Sequence, residues 1–380
     1  MSPRTPSFSQ TTTLVARALG MAGSELQASF RAARHEDLPS IMDVRRRVIG
    51  DHLTWNDEQY LKWRYDFDGR SDARGRCLVV CHGSRVLGMI GAEFVRIAIR
   101  AERHDALSLM DIMVDPKIDG SGLGIWLNMA VFQSNPVVIE IGANPNSIGL
   151  ITRLFDRLPD RREYIAPLTL KRYLSSRVRS KIIARVLAAP IDAALAAGRA
   201  LTSRRAPREW HLHPIKRFDA SVDRLFSRRS SPSDVMFERT AGYLNWRMFG
   251  NPRARYSVLG AYSNAELVGY AAYQLSQRSD GLRVVILVDW LVDERFGQAG
   301  IVDLIQQAVR FAAKDEADFV SVNALHARTQ RRLWRLGFVS HAAPFNTVGV
   351  HFGDRERYAE LLDGSRWFLT EANTDVDGIA

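Results

Sequence analysis

The residues Met113-Val114-Asp115-Pro116-Lys117-Ile118-Asp119-Gly120-Ser121-Gly122-Leu123-Gly124 read as a strand end, a glycine-rich turn and a helix start. Such a turn presents several backbone N–H groups to an anion. Its glycines let the main chain approach a pyrophosphate closely, and the helix N-terminus adds a favourable dipole. A Gly-x-Gly can equally be a tight connection, so the surrounding elements must decide. Asp111 offers a second kind of chemistry. It lies on a strand otherwise apolar on both faces, where a carboxylate could be a proton acceptor with a raised pKa or a paired structural group. Other enzyme classes lack their motifs, with no Gly-x-Ser-x-Gly elbow, no Walker loop and no His-Glu-x-x-His helix. His211 and His213 flank a strand start and read as surface residues.

Comparing the chain with itself shows what positions these residues. Tyr60-Leu61-Lys62-Trp63-Arg64 returns as Tyr243-Leu244-Asn245-Trp246-Arg247, 183 residues later. Val86-Leu87-Gly88 returns as Leu267-Val268-Gly269 after 181, and Leu109 to Asp115 returns as Leu287 to Asp293 after 178. The order and near-constant spacing indicate two homologous halves, so Asp289 is the counterpart of Asp111. Each half also repeats an arginine, Arg64 and Arg247. A buried pairing of each carboxylate with its own half's guanidinium is therefore expected, and it would lower the carboxyl pKa rather than raise it.

In the first half, Ser29–Ala33 reads as a strand, and Glu36–Val48 as a helix with Leu38, Ile41, Val44 and Val48 at helical spacing. A helix over Asn56–Tyr65 follows, with Asn56 as its cap. Strands over Cys77–Cys81, Val86–Ile99 and Leu107–Val114 precede the glycine loop. A helix from Leu123 to Gln133, a buried strand Val137–Ile141 and a further helix ending near Leu158 complete the half. The second half repeats the pattern from a helix at Ala241–Phe249 to one at Thr329–Leu336, which Gly337 stops. This order implies an α/β fold with mixed sheets, one per half. The expected boundaries are a disordered tail over 1–27, a domain over 28–174, a helical linker over 175–210 and a second domain over 211–373.

In this setting the loop resembles the acetyl-CoA signature of the GNAT superfamily, in which Val-x-Pro ends the fourth strand and an Arg/Gln-x-x-Gly-x-Gly/Ala loop opens the next helix. The resemblance implies two GNAT-like domains in tandem and an acyl-CoA dependent N-acyltransferase of the N-acetyltransferase type, with acetyl-CoA or another acyl-CoA as co-substrate and no metal. Met113 and Val114 would offer backbone groups to the pantetheine arm. Gly120, Ser121, Gly122, Leu123 and Gly124 would hold the pyrophosphate. Asp119 departs from the pattern, since it stands where Arg or Gln is usual and repels phosphate; Lys117 is near enough to offset it. The second half reads as a degenerate site, because Val292-Asp293-Glu294-Arg295-Phe296-Gly297-Gln298-Ala299-Gly300 lacks the Gly-x-Gly pair. The general acid of the superfamily is commonly a Tyr after the fifth strand. Phe155 and Trp334 take those positions here, which leaves Tyr164 as the substitute. The amine acceptor is a small molecule, sugar or peptide. Two other readings stay open: a non-catalytic acyl-CoA-binding or scaffold protein, and an aminoacyl ligase of envelope precursors.

Composition agrees with a globular chain. It has 380 residues, 46% of them hydrophobic and 25% charged, enough to fill two cores. The formal charge of +10, carried mainly by arginine, suits phosphate and carboxylate partners. The charge is spread rather than gathered in one stripe with aromatics, which disfavours nucleic acid. Cys77 and Cys81 lie on one strand face, too far apart for a disulfide, and read as core thiols of a cytoplasmic protein. Arg177–Thr202, rich in Ala and Arg, reads as a helical connector on both sides of Pro190, with a basic amphipathic membrane-surface contact as the alternative.

Overall fold

The computed structural model describes residues 7–51, 56–68, 75–99, 102–142, 147–203, 210–229, 234–313, 317–342 and 346–374. In chain order the elements are α1 (Phe8–Leu19), α2 (Gly23–Ser29), β1 (Phe30–Ala32), α3 (Leu38–Ile49), α4 (Glu58–Arg64), β2 (Gly75–His82), β3 (Arg85–Ile99), β4 (Glu102–Val114), α5 (Leu123–Phe132), β5 (Val137–Ile141), α6 (Ile148–Leu154), β6 (Asp156–Arg157) and β7 (Arg162–Pro167). Then come α7 (Lys171–Arg177), α8 (Lys181–Ser203), β8 (His211–Pro214), α9 (Ala220–Arg229), β9 (Val235–Phe237), α10 (Ala241–Phe249), β10 (Ser257–Ser263), β11 (Glu266–Gln277), β12 (Arg283–Val292), α11 (Gly297–Ala313), β13 (Phe319–Ala324), α12 (Ala327–Arg335), β14 (Val339–Ala342) and β15 (Val348–Phe352).

Two compact units result. The first holds Met1–Ile97, Arg103–Asp160 and Pro344–Gly364, and the second holds Ala98–Glu102, Arg161–Ala343 and Ser365–Ala380. These limits differ from boundaries at 174 and 211, because the two halves exchange a strand. In the first unit the strands run β1-β2-β3-β4-β5-β15-β6, so the place beside β5 is taken by β15, from late in the chain. In the second the order is β14-β7-β13-β12-β11-β10-β8, and β7, from the first half, takes the matching place beside β13. Both are antiparallel insertions: Val348 pairs with Ile141 and Phe352 with Val137, while Arg162 pairs with Ala324 and Pro167 with Phe319. Each sheet thus needs one strand that its own half does not supply.

The N-terminal segment is also not a loose tail where it is described. Ser7 caps α1 through a capping box with Gln10, and Gly20 ends the helix at φ +69. Val15 and Ala16 are buried, Phe8 stacks on Trp126 at 5.7 Å, and Trp126 Nε1 donates to Thr12 Oγ1 at 2.9 Å. The helix therefore packs on α5, whose Trp126 also meets Phe30 of β1 edge-on at 5.5 Å. Residues 1–6 of the expected tail lie outside the described residues. The cap of α4 is Asp57, one residue after Asn56, and its carboxylate accepts from Gln59 N–H and Tyr60 N–H. Cys77 and Cys81 are both unpaired thiols.

Candidate functional site

The site of the first unit begins where β4 leaves β5. Their parallel ladder pairs Leu107 with Val138, Ser108 with Ile139 and Leu109 with Glu140. Two residues later Asp111 has φ +51, a left-handed conformation that a non-glycine residue adopts at a cost. A kink of this kind bends a strand away from its neighbour. Beyond it, Ile112, Met113 and Val114 continue as strand, outside the recorded β4–β5 ladder. The second unit reaches a similar departure by a different route, a β-bulge with Asp289 outside the left-handed region. Val284, Val285 and Ile286 pair with Phe319, Val320 and Ser321, and then Val288 is left over as a bulge while Asp289 pairs with Ala272 and Leu287 with Tyr273.

From Val114 the chain enters the glycine turn. Asp115 is buried and caps it, accepting Lys117 N–H at 3.0 Å and holding the guanidinium groups of Arg47 and Arg85. Burial would raise its pKa, but Arg85, the Lys117 N–H and Arg47 outweigh this and hold it below the usual carboxylate range. Its repeat, Asp293, does the same work with Arg228 and Arg295. Gly120 and Gly122 both have φ +78, which explains their residue type. A side chain at Gly120 would meet open space, whereas one at Gly122 would lie 3.4 Å from Val15 of α1. Gly122 also caps α5 in the left-handed conformation. At such a helix end the N–H groups of Leu123, Gly124 and Ile125 lack intrahelical acceptors. Ser121 Oγ accepts that of Leu123 at 3.3 Å. Asp119, exposed, folds its carboxylate back so that Oδ1 accepts Gly120 N–H at 2.8 Å. A carboxylate therefore sits on a donor that an anionic ligand would use.

Asp111 is paired, as expected for a structural carboxylate, but with different partners. Arg45 of α3 lies 3.1 Å from its Oδ1, and the Tyr65 hydroxyl donates to Oδ2 at 2.7 Å. Arg64 instead pairs with Glu93 at 3.2 Å, and its charge acts on Asp111 as well. Burial pushes the Asp111 pKa up; Arg45, the Tyr65 hydrogen bond and Arg64 together bring it below its ordinary value. Burial and the Asp111 charge keep Tyr65 protonated far above its usual range, so it remains a donor. The pairing expected between Asp289 and Arg247 is likewise replaced. Asp289 is fully buried and meets Arg239 at 2.9 Å, with further hydrogen bonds from Tyr270 at 2.6 Å and Thr370 at 2.8 Å. Arg247 donates to the Thr374 carbonyl. Arg45 had a legible signal: it stands four residues after Ile41 and seven after Leu38, on the apolar stripe of α3. Arg239, in the turn after β9, had none.

The second unit has lost the turn itself. Counting 178 residues on from Asp119–Gly122 gives Gly297–Gly300, and these are the first turn of α11. The space beside Gly300 is filled: a Cβ there would lie 2.7 Å from Phe296 and 2.9 Å from Trp210, whose rings meet edge-on with centroids 5.1 Å apart.

Tyr164 is buried in the second unit's core, on β7 opposite Val322 and Ser340, where burial raises its pKa. It is part of that sheet and not of the glycine-loop unit. Phe155 is buried in the first unit against Phe132, and Trp334 is exposed. His211 and His213 lie on β8, which ends the second unit's recorded strand order. Among the described residues, no group of His, Cys, Asp and Glu side chains could hold a metal ion, and no helix is long and apolar enough to cross a membrane.

No family model and no curated protein matches this sequence. Solved structures do match the fold. A GCN5-related N-acetyltransferase from Anabaena variabilis aligns at TM-score 0.54 and 11% identity, over 85% of this chain and 72% of its own. A probable N-acyltransferase from Enterococcus faecalis, a conserved protein of unknown function, aligns at TM-score 0.55 and 8% identity, over 85% and 71%. The N-myristoyltransferase of Saccharomyces cerevisiae with bound myristoyl-CoA aligns at TM-score 0.51 and 12% identity, over 85% and 78%. At these identities the likeness establishes the fold: mixed α/β of the GNAT type.

Proposed function

We propose that the chain is an acyl-CoA dependent N-acyltransferase whose co-substrate binds the first unit. The observation that supports this reading is the continuity of three features on one strand: the departure of β4 from β5 at Asp111, the stretch Ile112–Val114 beyond the recorded β4–β5 ladder, and the left-handed glycine turn at the α5 N-terminus. The residues fit the ligand. An extended amide-bearing arm can hydrogen-bond to an unladdered strand edge, and the N–H groups of Gly124 and Ile125, with open space beside Gly120, suit a pyrophosphate. Asp119 opposes it, which makes binding modest rather than absent.

Bound acyl-CoA supplies a thioester: the amine nitrogen bonds to the acyl carbon, the C–S bond breaks, the amine gives up a proton and the thiolate takes one. Asp111 serves this site by position. With Arg45 and Tyr65 holding it ionised, it is a weak proton acceptor at neutral pH, and its pairing fixes the kink from which the strand edge opens. The acyl group is acetyl or a longer chain, and the acceptor is an amine of a small molecule, sugar or peptide.

Calorimetry with acetyl-CoA and with a long-chain acyl-CoA tests the reading, and one site per chain is expected. Gly124→Val is the informative variant, because a Cβ there meets Val114 at an ordinary 3.7 Å and the fold tolerates it. Its side chain stands between strand edge and turn, so binding should be lost with thermal stability retained. Absence of binding by any acyl-CoA, or unimpaired binding by Gly124→Val, would overturn the assignment.

A further inference from the structure

Helix α8 carries an apolar face that the second unit does not use. At about 100° per residue, Ala184 and Ala188 share one side of the helix, and both are buried. Ile182 and Val186 lie on the opposite side, 74% and 67% exposed, and Ile183 and Leu187 on its flank, 54% and 50% exposed. A helix that only packs on a domain puts polar residues there. Four large aliphatic side chains within six residues form a contiguous patch, which marks an interaction surface. Core filling does not account for the helix either. Below its C-terminal half lies a cavity of about 440 Å³, lined by Ile191 and Leu195 of α8, Ile305 and Val309 of α11, and Phe338.

The charge around the patch identifies what covers it. Residues 175–191 contain Arg177, Arg179, Lys181 and Arg185 and no acidic residue. All four are exposed. The first acid, Asp192, is turned inward, accepting from Thr169 Oγ1 and Leu170 N–H at 2.8 Å each. A second copy of the chain would bring Lys181 and Arg185 against their own equivalents with no counter-charge on the face. Anionic headgroups above an apolar layer match both features at once. The helix contains Pro190, and no helix of the described residues is long and apolar enough to span a bilayer. It would therefore lie in the interface plane.

We propose that α8 docks the chain on an anionic membrane surface, with Ile182, Ile183, Val186 and Leu187 entering the acyl layer and Arg179, Lys181 and Arg185 at the lipid phosphates. Co-sedimentation of the full chain with sucrose-loaded vesicles tests this. Phosphatidylcholine vesicles are compared with vesicles in which about three lipids in ten are phosphatidylglycerol. Binding to the anionic vesicles is expected. The variant Ile182→Asn/Val186→Asn keeps the net charge and, being at exposed positions, the melting temperature, yet should bind about tenfold or more weakly. Lys181→Gln/Arg185→Gln should lose the preference for anionic lipid. In Val186→Trp, indole emission should shift to the blue on anionic vesicles. The proposal is overturned if the parent chain stays in the supernatant, or if the asparagine pair binds as tightly as the parent, which would be adsorption of a basic chain. It is equally overturned if ultracentrifugation shows a dimer that the asparagine pair dissociates, or if soluble polyglutamate is bound through the same four aliphatic residues.

Discussion

Replacing Asp119 by Asn should tighten acyl-CoA binding. In the parent chain the Asp119 carboxylate accepts Gly120 N–H at 2.8 Å and so places a negative charge within the turn that receives the pyrophosphate. Asparagine keeps an acceptor oxygen for that hydrogen bond and removes the charge. Two like charges about 4 Å apart in water repel by about 1 kcal/mol. The residue is exposed, and salt near 0.1 M screens roughly half of this. Two phosphate charges then give about 1 kcal/mol in total, or about a fivefold lower Kd. The assay is calorimetric titration of coenzyme A into both proteins, at low salt and near 1 M, where the Debye length falls to about 3 Å. The gain should be present at low salt and vanish at high salt. Equal affinities at low salt would refute the placement of the pyrophosphate, and a gain that salt does not alter would refute its electrostatic origin.

Three further outcomes follow from the geometry. Asp289→Asn leaves Arg239 buried without its counter-charge and should cost about 3–5 kcal/mol in denaturant unfolding; a double-mutant cycle should show coupling with Arg239→Met, and additivity there would refute the pairing. Asp111 has its folded pKa lowered, so its pairing stabilises the protein above the unfolded value of about 3.9 and is lost as pH falls below it; unfolding measured from pH 6 down to 3 should show an acid-side loss that is smaller in Asp111→Asn. A chain ending at residue 210 lacks β15 and should not show the cooperative melting of an independent domain, whereas a sharp calorimetric transition from it would show that the exchanged strand is dispensable.

Local patterns in the sequence located most elements because periodicity and punctuation are local properties. The strand Val137–Ile141 and the helix Ala241–Phe249 stand where those patterns place them. The exchange of β7 and β15 was not legible, since either strand fits either gap by its own pattern and the choice is made by tertiary packing. The N-terminal helix is legible in its own signals: Ser7-Phe8-Ser9-Gln10 is a capping box and Gly20 a stop, and these outweigh a Ser- and Thr-rich composition. The filled turn of the second half was half legible. The missing Gly-x-Gly pair showed that the seat was lost, yet that Phe296 and Trp210 occupy the space beside Gly300 needed coordinates. It also means that Gly300→Val cannot serve as a silent control, because the clash at 2.7 Å would disturb the fold itself.

The two strand carboxylates bear on mechanism. Asp111 and Asp289 occupy the same register position, yet their arginines come from places that do not correspond, α3 for Arg45 and the turn after β9 for Arg239. Their hydroxyl partners differ too, Tyr65 at the end of α4 and Tyr270 on β11. What the halves share is therefore the carboxylate and the departure of the strand from its neighbour, while each supplies its counter-charge from whatever element is near. A proton acceptor would need to be retained only in the half with the glycine turn, and there it would need a pKa near neutrality. Asp289 persists where the turn has become helix, and Asp111 is held below the carboxylate range. A strand that leaves its neighbour instead presents the same requirement in both halves. β4 departs at the left-handed Asp111 and β12 at the Val288 bulge, and an ion pair anchored to a neighbouring element fixes that departure. On this account Asp111→Asn lowers turnover by loosening the strand edge that receives the thioester arm. The rise in KM should then exceed the fall in kcat, and the pH profile of kcat should keep its midpoint. A loss confined to kcat, with the basic limb of the profile abolished, would return Asp111 to the role of base.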